Sequence, residues 1–157
     1  MQEATQNPNL MLTIENGFPT TFYNISGNVH LHEGPTLPPD LPAITPPVNI
    51  INTGQDLFVH FVWSESGSLA NSFAGWSFEC RIFFELMGSG EVGSNPAPVN
   101  VAFNTTTNNY SAVITIPDGT LAEGAYKLIA TIVLHDPSGN PTPLAAYDEV
   151  GVLQVYG

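Results

Sequence analysis

The stretch Gly119–Leu134 most constrains how this chain can fold, because its second half alternates with the period of a β-strand. One set of alternate positions is apolar throughout, namely Tyr126, Leu128, Ala130, Ile132 and Leu134. The other set is polar at Lys127 and His135 and largely apolar between them. Successive side chains of a strand point to opposite faces of a sheet. A strand that is apolar on both faces near its centre belongs in the middle of a sheet, so this stretch predicts a central strand.

Other segments show strand alternation between turn signals. Trp76–Leu86 has the clearest alternation, with Trp76, Phe78, Cys80, Ile82, Phe84 and Leu86 predicted to point inward. Leu57–Trp63, Tyr110–Ile116 and Ala145–Tyr156 are further strand candidates, and Gly151 marks a predicted bulge in the last of them. No stretch of ten or more residues has apolar positions at helical spacing. The pattern therefore predicts an all-β fold, an antiparallel β-sandwich.

The first part of the chain differs from the rest. Residues 1–33 contain short strand candidates at Leu10–Glu15, Thr20–Ile25 and Val29–His32, and we interpret them as an N-terminal arm. Residues 34–47 are rich in proline, which fixes φ and removes backbone donors, so we predict a stiff, extended connector. Residues 48–157 form the predicted sandwich. We expect the arm to complete a sheet edge, either in its own subunit or in a neighbour that the connector reaches.

A short motif precedes the central strand. Leu121, Gly124 and Tyr126 have the spacing of a tyrosine corner. Together with Leu57–Trp63 and Trp76–Leu86, this motif resembles the bacterial immunoglobulin-like and fibronectin-III-like modules. The resemblance implies an immunoglobulin-like β-sandwich in which the Tyr126 hydroxyl turns back to upstream backbone. Such sandwiches serve in adhesion, sugar binding, scaffolding and assembly, so the resemblance implies no single function.

The charge balance excludes several classes of partner. The chain of 157 residues has 14 acidic residues against two basic ones, Arg81 and Lys127, and a net charge of −12. Binding to a phosphate backbone depends on Lys and Arg, so we predict no nucleic-acid partner. Anionic membrane surfaces are disfavoured for the same reason. Cations, neutral surfaces such as glycans, and basic proteins remain as possible partners.

The cysteine count and the N-terminus bear on location. Cys80 is the single cysteine, so no internal disulfide can form. Residues 1–20 show no basic region followed by a long apolar run, so we see no signal peptide. No segment approaches the roughly 20 apolar residues of a membrane-spanning helix. Localisation therefore stays open between the cytoplasm and an exported assembly.

Few residues have the spacing of a metal site. His30 and His32 would share one face of a strand and could bind one ion, with Glu33 or another acid as a third ligand. The alternative is a pair of histidines on an exposed strand face without metal. Asp136–Asn140 is first a turn sequence, and its spacing fits no known calcium loop. No cofactor is predicted.

The sequence shows no catalytic set. Cys80 points inward, where burial makes a thiol inert, and no serine lies in a nucleophile elbow. Asp148 and Glu149 are adjacent, so their side chains diverge on a strand. We therefore predict a non-enzymatic structural or protein-interaction module that self-associates within a larger assembly. The alternative is a glycan-binding module that uses exposed aromatic side chains, namely Phe83, Tyr147 or Tyr156.

Overall fold

The computed structural model describes residues 12–15, 19–34, 49–92 and 95–157. All regular structure in these ranges is β-strand, and they include no helix that could span a membrane. The strands are β1 (Thr13–Glu15), β2 (Asn24–Gly34), β3 (Ile50–Asn52), β4 (Asp56–Ser66), β5 (Ser77–Leu86), β6 (Gly90–Glu91), β7 (Val99–Ala102), β8 (Asn109–Ile116), β9 (Gly124–His135) and β10 (Pro141–Tyr156).

The strands form two sheets. The seven-stranded sheet has the order β1-β10-β9-β5-β6, with β3 also paired to β10 and β7 also paired to β5. The three-stranded sheet has the order β2-β4-β8. All pairings are antiparallel except that of β3 with β10. The predicted all-β antiparallel sandwich is confirmed, and β9 lies between β5 and β10 as the alternation of Tyr126–Leu134 predicts.

The core lies between the two sheets. The inward side chains of β5 and β9 are almost completely buried, including Phe78, Cys80, Ile82, Leu128 and Ile132. An aromatic cluster joins the two sheets: Trp63 of β4 stacks on Tyr110 of β8 and contacts Phe78 of β5 edge to face, with ring centroids 5.5 and 5.4 Å apart. Each large apolar side chain buried in this way contributes about 1.5–3 kcal/mol.

The strands of the predicted arm belong to both sheets of their own chain. β1 pairs with β10, with Thr13 opposite Tyr147. β2 pairs with β4 over its whole length, and a Cβ atom at Gly27 would collide with the backbone of Val62 and Trp63. β1 and β2 therefore complete sheet edges in cis. The predicted connector lies outside the described residues except for Gly34, so the division of the chain at residues 34 and 47 stays a prediction.

Several strand boundaries differ from the sequence prediction. The end of Thr20–Ile25 and all of Val29–His32 lie in one strand, β2, and Leu57–Trp63 extends to Ser66 in β4. The candidate Thr20–Ile25 begins late, because residues 19–22 form a turn closed by a 2.9 Å hydrogen bond from Phe22 N to Pro19 O. The last strand begins early, at Pro141, where the Thr142 hydroxyl donates a 2.6 Å hydrogen bond to Leu134 O. The predicted bulge at Gly151 is present, since the register between β9 and β10 shifts there.

Candidate functional site

The outer face of the seven-stranded sheet, here called the seven-strand face, carries the outward side chains of β5, β9, β10 and β3. Phe83 of β5 lies opposite Ile129 of β9, which lies opposite Glu149 of β10. Phe83 is 39% exposed although it is large and apolar. Exposed large apolar side chains that are grouped on one surface mark a candidate contact site.

A groove of about 540 Å³ crosses three adjacent strands at one end of this face. Arg81 and Phe83 come from β5, Thr131 and His135 from β9, and Tyr147 from β10. The groove brings together two of the three aromatic residues that the sequence suggested for glycan binding, Phe83 and Tyr147. The third, Tyr156, lies outside it. A concave surface with aromatic side chains and a few polar groups is typical of ligand-binding sites.

Charges within the groove are paired. Arg81 Nε donates a hydrogen bond to Glu79 Oε1 at 2.6 Å, and His135 Nε2 lies 3.7 Å from the same oxygen. The hydrogen bond from Arg81 holds the pKa of Glu79 below its usual range, so Glu79 is a carboxylate at neutral pH. The imidazole of His135 is oriented by a 3.1 Å hydrogen bond from Nδ1 to Gly139 O. The groove therefore has no net charge when His135 is neutral.

The opposite end of the seven-strand face exposes three apolar side chains. Ile50, Val152 and Tyr156 point outward and are 55%, 51% and 50% exposed. Val152 lies opposite Lys127, whose Nζ is 3.8 Å from the carboxylate of Glu149. Both basic residues of the chain, Arg81 and Lys127, thus lie on this face, each beside a carboxylate. This face therefore carries both positively charged residues of an otherwise acidic protein.

An open edge is the second candidate site. β8 pairs with β4 from Asn109 to Ile116 and with no other strand in the described ranges. Its sequence, Asn-Tyr-Ser-Ala-Val-Ile-Thr-Ile, has no charged residue, proline or glycine. Edge strands of monomeric proteins are usually protected by such residues, by bulges or by covering segments. β8 has none of those residues, and the backbone N–H and C=O groups on its side away from β4 form a row for strand pairing.

The predicted metal pair lies elsewhere. His30 and His32 of β2 and His60 of β4 share the outer face of the three-stranded sheet, with ring centroids 6.2 Å apart for His30 and His32 and 6.3 Å for His32 and His60. Burial lowers the pKa of all three imidazoles. Glu33, the suggested third ligand, is exposed and belongs to the opposite face of β2 from His30 and His32. Among the described residues no three metal-binding side chains converge, and the His30–His32 site stays a prediction.

No family model and no curated protein matches the sequence. Solved structures do match it. The C-terminal domain of Wzt is 13% identical, with a TM-score of 0.56 over 96% of this chain and 80% of that one. A CARDB domain from Pyrococcus furiosus, solved in complex with di-metal ions, is 10% identical, with a TM-score of 0.47 over 88% and 97% of the two chains.

The chain has an immunoglobulin-like β-sandwich fold. At 13% identity the likeness to Wzt extends to the fold alone.

The corner that precedes β9 in this sandwich is a local hydrogen-bonded unit. The Tyr126 hydroxyl donates a 2.8 Å hydrogen bond to Ala122 O, four residues upstream. Leu121 packs partly buried against the core. Gly124 has a φ of 154°, and a Cβ atom there would lie 2.7 Å from Leu86 Cδ1. The three residues act on folding, because they fix how the chain enters β9, and none of them contacts the groove.

Buried carboxylates are the feature that the sequence analysis missed. Glu65 at the end of β4 is 3% exposed and Asp148 of β10 is 2% exposed. The alternation of inward and outward positions along each strand could have revealed these buried carboxylates. Glu65 continues the inward set of Leu57, Val59, Phe61 and Trp63, and Asp148 continues the inward set of Leu144 and Ala146. An acidic residue at an inward position contradicts the general rule that Asp and Glu are almost never fully buried unless they are paired.

The side chains considered for catalysis are placed as predicted. Cys80 is fully buried, and burial raises the pKa of its thiol to about 12, so it is protonated and unreactive at neutral pH. Asp148 points into the core while Glu149 is exposed, so the two adjacent carboxylates diverge.

Proposed function

We propose that the chain is a non-enzymatic structural module that self-associates by pairing β8 of one copy with β8 of a second copy. The observation that carries this proposal is the open, uncharged edge of β8. Antiparallel pairing of two identical edges forms a closed, two-fold symmetric dimer, the commonest form of homo-oligomer. It would join two three-stranded sheets into one continuous sheet.

The charge of the chain supports this choice of surface. At a net charge of −12, two copies repel each other over most approaches. β8 has no charged residue, and its outward side chains Ser111, Val113 and Thr115 are small enough to leave the edge accessible. Pairing through β8 therefore satisfies backbone donors and acceptors without bringing charged strands together. Added salt screens the remaining repulsion, so the dimer should become tighter as the salt concentration rises.

Light scattering after size-exclusion chromatography tests the proposal. The wild-type chain should elute as a dimer, and the double variant Ser111→Lys/Val113→Lys should elute as a monomer, because lysines protect an edge strand from pairing. The control is Asn28→Lys on β2, the opposite edge of the same sheet, which should leave the dimer intact. Both changes make the chain less negative, so general repulsion cannot explain a loss confined to β8. A monomeric wild-type chain at high salt and high concentration would refute the proposal.

A second candidate function, glycan binding, is favoured by one observation. Phe83 and Tyr147, which lie far apart in the sequence, line the same groove on the seven-strand face. Binding of a polysaccharide by the monomeric double variant would support this function and separate it from self-association.

A further inference from the structure

We infer that the groove on the seven-strand face binds an extended, neutral glycan. This inference deepens the second candidate function and rests on it. It does not depend on β8, because the groove and β8 belong to different sheets. A failure of self-association and a failure of glycan binding are therefore separate outcomes.

The aromatic side chains of the groove are positioned to stack on sugar rings. A pyranose has a face of C–H groups that packs on an aromatic ring, and Phe83 is 39% exposed for such a contact. Tyr147 is half-buried, and its hydroxyl makes no hydrogen bond with any residue that the structure describes. It can therefore hold a sugar hydroxyl while its ring packs on the C–H face.

The spacing of these two side chains matches more than one sugar. Phe83 and Tyr147 lie on strands separated by β9 and are offset by two residues along the sheet. With adjacent strands about 4.8 Å apart, the two positions are roughly 12 Å apart, which is about the length of a disaccharide. The groove crosses β5, β9 and β10 without a closing loop among its lining residues. It is suited to a continuous chain rather than to an enclosed monosaccharide.

The charges select a neutral ligand. An anionic polysaccharide is repelled by a chain with a net charge of −12. A cationic ligand is attracted by that same net charge, but Glu79, the carboxylate among the described lining residues, is already occupied by Arg81, whose side chain is 43% exposed. Because Arg81 and Glu79 are paired, both can still exchange hydrogen bonds with sugar hydroxyls without favouring either sign of charge. Planar polar side chains beside aromatic rings suit a ligand rich in hydroxyl groups.

Affinity gel electrophoresis tests the inference. The probes are the neutral polysaccharides dextran, galactomannan and a mixed-linkage β-glucan, together with the polyanion alginate and the polycation chitosan. We expect at least one neutral polysaccharide to retard the chain. Phe83→Ala should weaken that binding at least tenfold, and Tyr147→Phe, which removes one hydroxyl, should weaken it about threefold. The matched control is Phe22→Ala, since Phe22 is 49% exposed but lies in the turn before β2.

We expect weaker polysaccharide binding with Phe83→Ala and Tyr147→Phe and unchanged binding with Phe22→Ala. Thermal unfolding should be unchanged for all three variants. Two outcomes would overturn the inference. One is the absence of retardation by every neutral polysaccharide. The other is retardation that persists in Phe83→Ala or that alginate or chitosan alone produces, because the ligand or the site would then be a different one.

Discussion

Glu65 and Asp148 are both buried carboxylates, and their surroundings differ. Glu65 Oε1 lies 3.4 Å from the Tyr110 hydroxyl and accepts a 3.3 Å hydrogen bond from Asn71 N. The Tyr23 hydroxyl is a further hydrogen-bond partner. Neither oxygen of Asp148 makes a well-formed hydrogen bond with a described residue, and Val29 N is the backbone donor that acts on this carboxylate. One carboxylate organises a polar cluster, and the other faces apolar core.

The comparison shows that the loss of hydration of a buried carboxylate is partly compensated by hydrogen bonds at one site and much less at the other. Burial raises the pKa of both groups, to about 6 for Asp148. Around Glu65, hydrogen bonds from Asn71, Tyr23 and Tyr110 oppose that rise. Around Asp148, only one hydrogen-bond donor of the described residues, Val29 N, opposes it, and the charge of Glu149 adds to it. Ionisation of either carboxyl therefore costs stability at neutral pH, but only Glu65 holds several hydrogen-bond donors, so we expect removal of Glu65 to destabilise the fold and removal of the Asp148 charge to stabilise it.

The largest expected effect is that of Glu65→Ala. The change leaves two tyrosine hydroxyls and the Asn71 N–H near a cavity, so the free energy of unfolding should fall by about 3 kcal/mol. Urea denaturation measures it. Glu85→Ala, at an exposed position of β5, is the control and should change stability by less than about 0.5 kcal/mol. Equal effects of the two changes would remove the distinction between an organising carboxylate and a surface one.

Asp148→Asn should have the opposite sign. At pH 8 it removes a buried charge whose pKa is about 6 in the folded chain and about 3.9 when unfolded, a difference that costs about 3 kcal/mol of stability. Because the buried amide of asparagine keeps part of the desolvation cost, stability should rise by about 2 kcal/mol. A destabilised variant at pH 8 would mean that the charge has a partner, and the contrast with Glu65 would fail.

The stability difference between the wild-type chain and the Asp148→Asn variant should also depend on pH, in a direction that the raised pKa of Asp148 determines. Because the folded pKa of Asp148 is raised, its destabilising effect is full above pH 6, decreases as the carboxylate is protonated, and is absent near pH 4. The gain from Asp148→Asn should therefore disappear between pH 7 and pH 4. The difference between the two proteins is the quantity to measure, because the lowered pKa values of His30, His32 and His60 destabilise the wild type and the variant alike at acid pH.

Tyr110→Phe should have a smaller effect than Glu65→Ala. It removes a hydroxyl that lies near Glu65 and that accepts a 3.2 Å hydrogen bond from Asn104 N, so we expect a loss of about 1.5 kcal/mol. In the Glu65→Ala background the loss should shrink, since interacting residues are not additive. A double-mutant cycle measures the coupling, and a coupling of zero would place Tyr110 outside the cluster.

Tyr126→Phe is the smallest expected change and the reference for the others. Its hydroxyl has one backbone acceptor, Ala122 O, and is far from both carboxylates in the sequence. The loss should be about 1 kcal/mol and independent of pH between 4 and 8. An unchanged urea midpoint would show that the corner contributes nothing to stability.

Much of the sandwich follows from local patterns. The inward set of β5 and the central place of β9 are readable because the period of two is a property of a single strand. The groove cannot be predicted from the alternation within any single strand. Phe83 and Tyr147 could be marked as exposed aromatic residues, but their meeting depends on the register of β5, β9 and β10.

The sequence by itself determined the approximate positions and the faces of the main strands, the tyrosine corner and the excess of acidic charge. Only the tertiary structure decided that β1 and β2 pair within their own chain, that β8 pairs with β4 alone among the described strands, and that Glu65 has more hydrogen-bond partners than Asp148 within the described ranges. The physical reason is the distance along the sequence over which each interaction acts. Alternation and turn chemistry act between neighbouring residues, whereas strand pairing and the hydration of a buried charge depend on which distant segments meet.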